Sequence, residues 1–150
     1  VLAAAAFGTI IAAFVVAPAR RTWGFGACWI GSYALCGLAI AGIGLSRSVA
    51  VVAALATTFL FGIGVAGICS MSLRQEVTPD HLLGRVTSSF WTIHSALGPV
   101  GAAVLTASAA NHGVPATTLA AGVACLLVAV AGTLTPARQA RPERLAVEVP

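Results

Sequence analysis

The chain has 150 residues, of which 59% are hydrophobic and only 8% are charged, and its mean hydropathy is +0.98. A soluble domain is about half apolar and about a quarter charged, so this composition excludes a soluble globular domain and indicates an integral membrane protein. The net charge of +4 does not indicate nucleic-acid binding, because every basic residue is an arginine flanking an apolar segment.

Four segments of the chain contain no Asp, Glu, Lys or Arg: residues 1–19, 22–46, 48–73 and 86–137. A helix needs roughly 20 residues to cross the hydrocarbon core, so the first three segments hold one span each. The last segment holds two, because Asn111, His112, Gly113 and Pro115 interrupt it. The sequence thus predicts an all-α membrane bundle over residues 1–135, with five spans at 1–17, 26–45, 49–72, 86–107 and 115–135. A β-barrel is excluded, because these segments lack strand-length alternation of polar and apolar residues.

The two ends of the chain differ in character. The first span begins without Met and already within an apolar segment, so we expect residue 1 to fall inside a longer protein. Residues 136–150 are polar and contain proline, and they are predicted to form an unstructured tail.

The arginines predict the orientation. With alternating loops, seven of the eight lie on one side, including Arg20, Arg21, Arg74 and Arg85, and only Arg47 lies on the other. Positively charged loops stay in the cytoplasm, so the chain is predicted to be a multi-pass protein of the plasma or inner membrane with a cytoplasmic C-terminus.

Two patterns inside the spans invite other interpretations. Gly62, Gly64 and Gly67 spell G-x-G-x-x-G, but a dinucleotide site needs that turn after a strand, so we expect close helix packing instead. The four cysteines show neither C-x-x-C nor a histidine at ligand spacing, so no metal site is expected and each is interpreted as a small buried hydrophobe. They are Cys28, Cys36, Cys69 and Cys125.

Charge concentrates in R-Q-E-V-T-P-D-H-L-L-G-R-V, Arg74 to Val86, between the third and fourth spans. Thr78 is expected to cap a helix that has Pro79 and Asp80 in its first turn. Ion pairs are expected between Arg74 or Arg85 and Glu76 or Asp80.

The fourth span carries His94, the only ionisable side chain in any span apart from Cys and Tyr. His94 shares a helical face with Phe90 and Trp91, which predicts a site that stacks an apolar substrate while the imidazole donates a hydrogen bond or carries a proton. The alternative is a histidine bound to a neighbouring helix. Thr58 and Ser95 are further candidates for the cavity wall, although hydrogen bonding between helices is the commoner role.

The loop and the helix after it resemble the C-terminal half of major facilitator superfamily transporters. The resemblance rests on Q-x-x-x-P-x-x-x-x-G-R-V, with Gln75, Pro79, Gly84 and Arg85, followed by G-P-V-G with Gly98, Pro99 and Gly101. Drug and siderophore exporters of the proton-antiport type, including macrolide-efflux and enterobactin-exporter relatives, are the nearest in pattern. The resemblance implies that the spans are helices 8–12 of twelve, with seven more supplied by the same protein. It also implies a small-molecule substrate and a conformational role for the loop. Gly98, Pro99 and Gly101 are themselves expected to bend the fourth span. The Arg20 turn departs from the family pattern, because it carries no acidic residue.

Two other functions remain open. A structural or accessory membrane subunit would need no site at all. An intramembrane enzyme is disfavoured, because no span contains a carboxylate pair and His94 has only Ser95 beside it, pointing about 100° away. No cofactor is expected.

Overall fold

The computed structural model describes residues 2–135, and within them the chain is entirely helical apart from short connections. It contains four helices: α1 Leu2–Leu45, α2 Val49–Val77, α3 Asp80–His112 and α4 Val114–Thr133. All four are long and apolar enough to cross a bilayer. The predicted all-α class is therefore confirmed, and the four apolar helices are consistent with a multi-pass membrane protein. The predicted tail, 136–150, lies outside the described residues.

The structure has four helices where the sequence predicts five spans, because α1 contains both of the first two. A single residue interrupts α1: Gly24 has φ 82° and ψ 168°, outside the helical region. We call residues 2–23 the first arm of α1 and residues 25–45 its second arm. The predicted loop around Arg20 and Arg21 is helical instead.

The contacts with α2 show that the chain reverses at Gly24. Along the first arm, Gly8 lies against Thr57 and Arg20 pairs with Glu76, so this arm runs parallel to α2. Along the second arm, Ser32 lies against Gly62, whereas Gly42, further along the chain, lies against Leu55. The second arm is therefore antiparallel to α2, and the two arms form a hairpin without a loop.

Gly24 is required for this reversal, because positive φ with extended ψ is a region that side-chain-bearing residues avoid, at about 1–3 kcal/mol. We expect Gly24→Ala to lower the thermal unfolding midpoint of the purified protein in mild detergent. Gly31→Ala is the matched control, since a Cβ there meets nothing within 4 Å and Gly31 is helical. Equal midpoints for the two variants would contradict the role of Gly24.

Small residues let the helices approach closely. The core between α1 and α2 consists of Ala12, Val16, Phe25, Cys28, Val65 and Cys69. Gly64 faces Ala12, and Gly62 faces Cys36, whereas a Cβ added at Gly67 would meet no atom within 4 Å. Such contacts suit a bilayer, where helices associate through close packing rather than through the hydrophobic effect.

Helix α4 packs antiparallel on the second arm. Gly132 faces Ile30 at one end, Gly37 faces Gly122 in the middle, and Gly44 faces Thr118 at the other end. Cys28, Cys36 and Cys69 are buried, as expected, while Cys125 is half-buried. The second arm is thus enclosed by α2 on one side and by α4 on the other.

Helix α3 stands apart from this packed unit. Within the described residues none of its side chains is buried, and it contacts the bundle little except near its ends. Its 33 residues span about 50 Å, which exceeds the thickness of the hydrocarbon core. Pro99 lies inside α3 without ending it, and a Cβ on Gly98 or Gly101 would meet no neighbour. The predicted bend at Gly98–Gly101 stays a prediction.

The charged stretch Arg74–Val86 is mostly helix. Only Thr78 and Pro79 lie outside α2 and α3. The prediction that Thr78 caps α3 is wrong: the capping position is Pro79, no side chain bonds there, and the Thr78 N–H instead donates to the Arg74 carbonyl and ends α2. The extended φ and ψ of Pro79 separate the two helices.

Candidate functional site

Phe90, Trp91 and His94 form a contiguous group on α3, which we call the aromatic cluster. The Phe90 and His94 rings stack with centroids 5.8 Å apart and an interplanar angle of 10°. Trp91 meets both edge-on, with its centroid 5.7 Å from that of Phe90 and 5.5 Å from that of His94. The structure therefore brings together the three residues that helical spacing placed on one face.

The aromatic cluster is exposed rather than embedded. Half of the Trp91 surface and 36% of the Phe90 surface are accessible, and His94 is exposed as well. No hydrogen bond from His94 to a neighbouring helix is present among residues 2–135. The Trp91 ring and the His94 imidazole are therefore accessible to a ligand.

Arg74 joins the cluster from the last turn of α2. Its guanidinium carbon lies 3.6 Å from the centre of the Phe90 ring, a cation–π contact. One nitrogen, Nη2, is 3.5 Å from the Met71 sulfur, a weak acceptor. The Nε and Nη1 atoms are buried and have no hydrogen-bond partner within the described residues. The sequence places Arg74 in a loop and does not predict its contact with Phe90, because that contact depends on how α2 and α3 cross.

Of the other predicted cavity residues, Thr58 lies apart from the cluster and Ser95 is next to it in the chain. Thr58, on α2, donates to the Ala54 carbonyl at 3.0 Å, a bond within its own helix. Ser95 follows His94 and is exposed. Because α2 and α3 contact each other so little, the structure does not bring Thr58 to the aromatic cluster.

Glu76 pairs with a different arginine from the ones predicted. Nη2 of Arg20 lies 2.9 Å and 3.1 Å from the two carboxylate oxygens of Glu76. The pair joins the first arm of α1 to the end of α2. The expected pairing of Glu76 with Arg74 or Arg85 is wrong, because the first arm runs parallel to α2 and brings Arg20 to the same end of the bundle. The sequence did offer a signal for this pair, because Arg20 and Glu76 lie in two predicted loops that were both assigned to the cytoplasmic side.

The remaining residues of the charged stretch are exposed and make local contacts. Gln75, Pro79, Asp80 and Arg85 are exposed, and a Cβ on Gly84 would meet no neighbour. The Arg85 carbonyl accepts a hydrogen bond from the Ser88 hydroxyl at 3.0 Å.

An open cavity of about 230 Å³ lies beside the Arg20–Glu76 pair, between the first arm and α2. Sites for drug-sized ligands measure about 300–1,000 Å³, so this cavity is too small to hold such a ligand. It is lined by Val16, Ala17, Arg20, Arg21, Ile68, Ser72 and Glu76.

Searches against protein-family models, curated proteins and solved structures returned no match to this chain. Among residues 2–135, no group of three or more His, Cys, Asp or Glu side chains is placed to hold a metal ion. The helices, the aromatic cluster and the two arginine contacts are therefore the basis for assigning a function.

Proposed function

We propose that this chain is part of a secondary transporter that exports small amphipathic molecules by alternating access, coupled to protons. The observation that carries the proposal is the aromatic cluster. Three rings in mutual contact, one of them an imidazole, lie exposed on a helix long and apolar enough to span the membrane, and the rest of the bundle leaves that helix uncovered. Intramembrane ionisable residues are rare and mark substrate or proton pathways.

The bundle supports this proposal in two ways. The reversal at Gly24 gives α1 two antiparallel arms, each of about the length that one crossing requires, so we propose that the protein crosses the membrane five times. The Arg20–Glu76 pair lies at the end of the bundle that the arginine distribution assigns to the cytoplasm. Five crossings in this orientation suit helices 8–12 of a major facilitator superfamily transporter, with seven further helices in the same protein and the C-terminus in the cytoplasm of a plasma or inner membrane.

The decisive experiment measures export of a fluorescent amphipathic dye from cells that produce the full-length protein, with and without an uncoupler that collapses the proton gradient. We expect uncoupler-sensitive export. Dye retention equal to that in cells without the protein would overturn the proposal and favour a structural or accessory membrane subunit.

Within that assay, His94→Ala is expected to slow export about three- to tenfold, which corresponds to the loss of one hydrogen bond between the imidazole and the substrate. His112→Ala is the matched control, because His112 ends the same helix and its ring contacts only the Ser108 carbonyl of its own turn. If the two variants export at the same rate, His94 is a structural residue and has no part in transport.

A further inference from the structure

Arg74 carries a positive charge without a counter-charge in the described structure. Of the two carboxylates in residues 2–135, Glu76 is paired with Arg20, and Asp80 forms no ion pair. Two of the Arg74 nitrogens are buried without an acceptor, and the third has only a methionine sulfur. A buried donor left without an acceptor is unfavourable, because it has lost its hydrogen bonds to water and gained none in return.

The contacts that hold Arg74 in place are weak ones. The cation–π contact with Phe90 and the long N–H···S contact with Met71 are both worth less than a charge-assisted hydrogen bond to an anion. An anion that reaches Arg74 therefore gains strong hydrogen bonds, whereas the guanidinium loses only weak contacts when it leaves the Phe90 ring. That movement also frees one face of Phe90, next to Trp91 and His94.

We propose that Arg74 and the aromatic cluster form a binding site for organic anions that have an aromatic body. The ligand carboxylate or sulfonate accepts hydrogen bonds from Arg74, and its ring replaces the guanidinium on the face of Phe90. The site lies where α2 ends, so a ligand enters it from the same end of the bundle as the Arg20–Glu76 pair. This assignment names the substrate class of the exporter and rests on the proposed function.

The test measures binding of radiolabelled 1-naphthoate to the full-length protein in lipid nanodiscs, with empty nanodiscs as background. The comparison ligand is 1-naphthalenemethanol, which has the same ring system and no charge. We expect Arg74→Gln to weaken naphthoate binding about tenfold or more and to change binding of the alcohol less than about threefold. Arg21→Gln, an exposed arginine at the same end of the bundle, is the control and should bind naphthoate as the unaltered protein does.

A second variant keeps the proposal testable if Arg74→Gln fails to fold. Phe90→Leu keeps the Arg74 guanidinium in the protein and removes the ring face, so it should weaken binding of both naphthyl ligands. Equal binding of the acid and the alcohol by the unaltered protein, or undiminished naphthoate binding by Arg74→Gln, would overturn the site.

The experiments distinguish failure of the anion site from failure of the proposed transport function. Export of a neutral or cationic dye without any naphthoate binding would remove the anion site and leave the transporter. Naphthoate binding that depends on Arg74, in a protein that exports no dye and no naphthoate, would keep the site and remove the transporter.

Discussion

Gly122→Leu is expected to loosen α4 from the second arm of α1 and to destabilise the protein by about 1–3 kcal/mol, the usual cost of overpacking. A Cβ at Gly122 would lie 2.7 Å from the Gly37 carbonyl oxygen and 2.8 Å from the backbone nitrogen of Ala41. Both neighbours are backbone atoms of a helix, so no side chain can rotate away and the two helices must separate. In a bilayer this loss is not recovered by hydrophobic burial, because lipid is as apolar as the helix surface.

The measurement is the thermal unfolding midpoint in mild detergent, where the expected change is a decrease of about 3–10 °C for a chain of this size. Gly67→Leu is the matched control: Gly67 is also helical and membrane-spanning, but a Cβ there meets nothing within 4 Å. That variant should unfold at the original midpoint or above it, since leucine favours helix over glycine. A similar decrease in both variants would mean that α4 does not pack at Gly122 as described.

Glu76→Gln is expected to destabilise the bundle by about 1–3 kcal/mol, between the values for exposed and for fully buried ion pairs. The Arg20 side chain is 10% exposed and that of Glu76 is 32% exposed, so removing the carboxylate leaves a largely desolvated cation. We expect the charge-reversed double variant, Arg20→Glu with Glu76→Arg, to recover at least half of the loss. Denaturant unfolding of Arg20→Glu, Glu76→Arg and the double variant gives the coupling energy directly.

The control for this cycle is Asp80→Asn, which removes a carboxylate at the same end of the bundle that forms no ion pair in the described structure. Its effect should stay below about 1 kcal/mol, the value of an acidic residue in the first turn of a helix. Additive effects of the Arg20 and Glu76 changes, with no recovery in the double variant, would show that the pair does not couple the first arm to α2.

The sequence predicts an all-α chain of long apolar helices, because charge is excluded from hydrocarbon and leaves long uncharged segments. The start of α2 at Val49, just after Arg47, follows from that exclusion. The break near Gly113 follows instead from the Asn, His, Gly and Pro residues that interrupt an uncharged segment. Exclusion of charge does not predict where a helix ends outside the hydrocarbon, because solvent tolerates charged side chains on a helix. Helix α2 therefore continues to Val77, and α3 already begins at Asp80. The single-residue reversal at Gly24 could not be predicted from the sequence either, because glycine adopts positive and negative φ angles about equally and the surrounding apolar residues do not indicate which one occurs.

For the candidate site, contacts within one helix could be predicted from the sequence, whereas contacts between helices could not. Phe90, Trp91 and His94 lie on one helix, so their spacing alone places them together. The contacts of Arg74 with Phe90 and of Arg20 with Glu76 join different helices. Such contacts depend on crossing geometry and on the direction of each arm, neither of which a charge pattern encodes.

The shortness of the connections to α3 restricts how this helix can move. It is joined to α2 through Thr78 and Pro79 and to α4 through Gly113 alone, and α4 is packed on the second arm. With both ends fixed in this way, α3 has no slack with which to slide along the bundle axis. Movement of α3 relative to the bundle therefore requires backbone rotation at Thr78, Pro79 or Gly113, and it would carry the aromatic cluster with the helix.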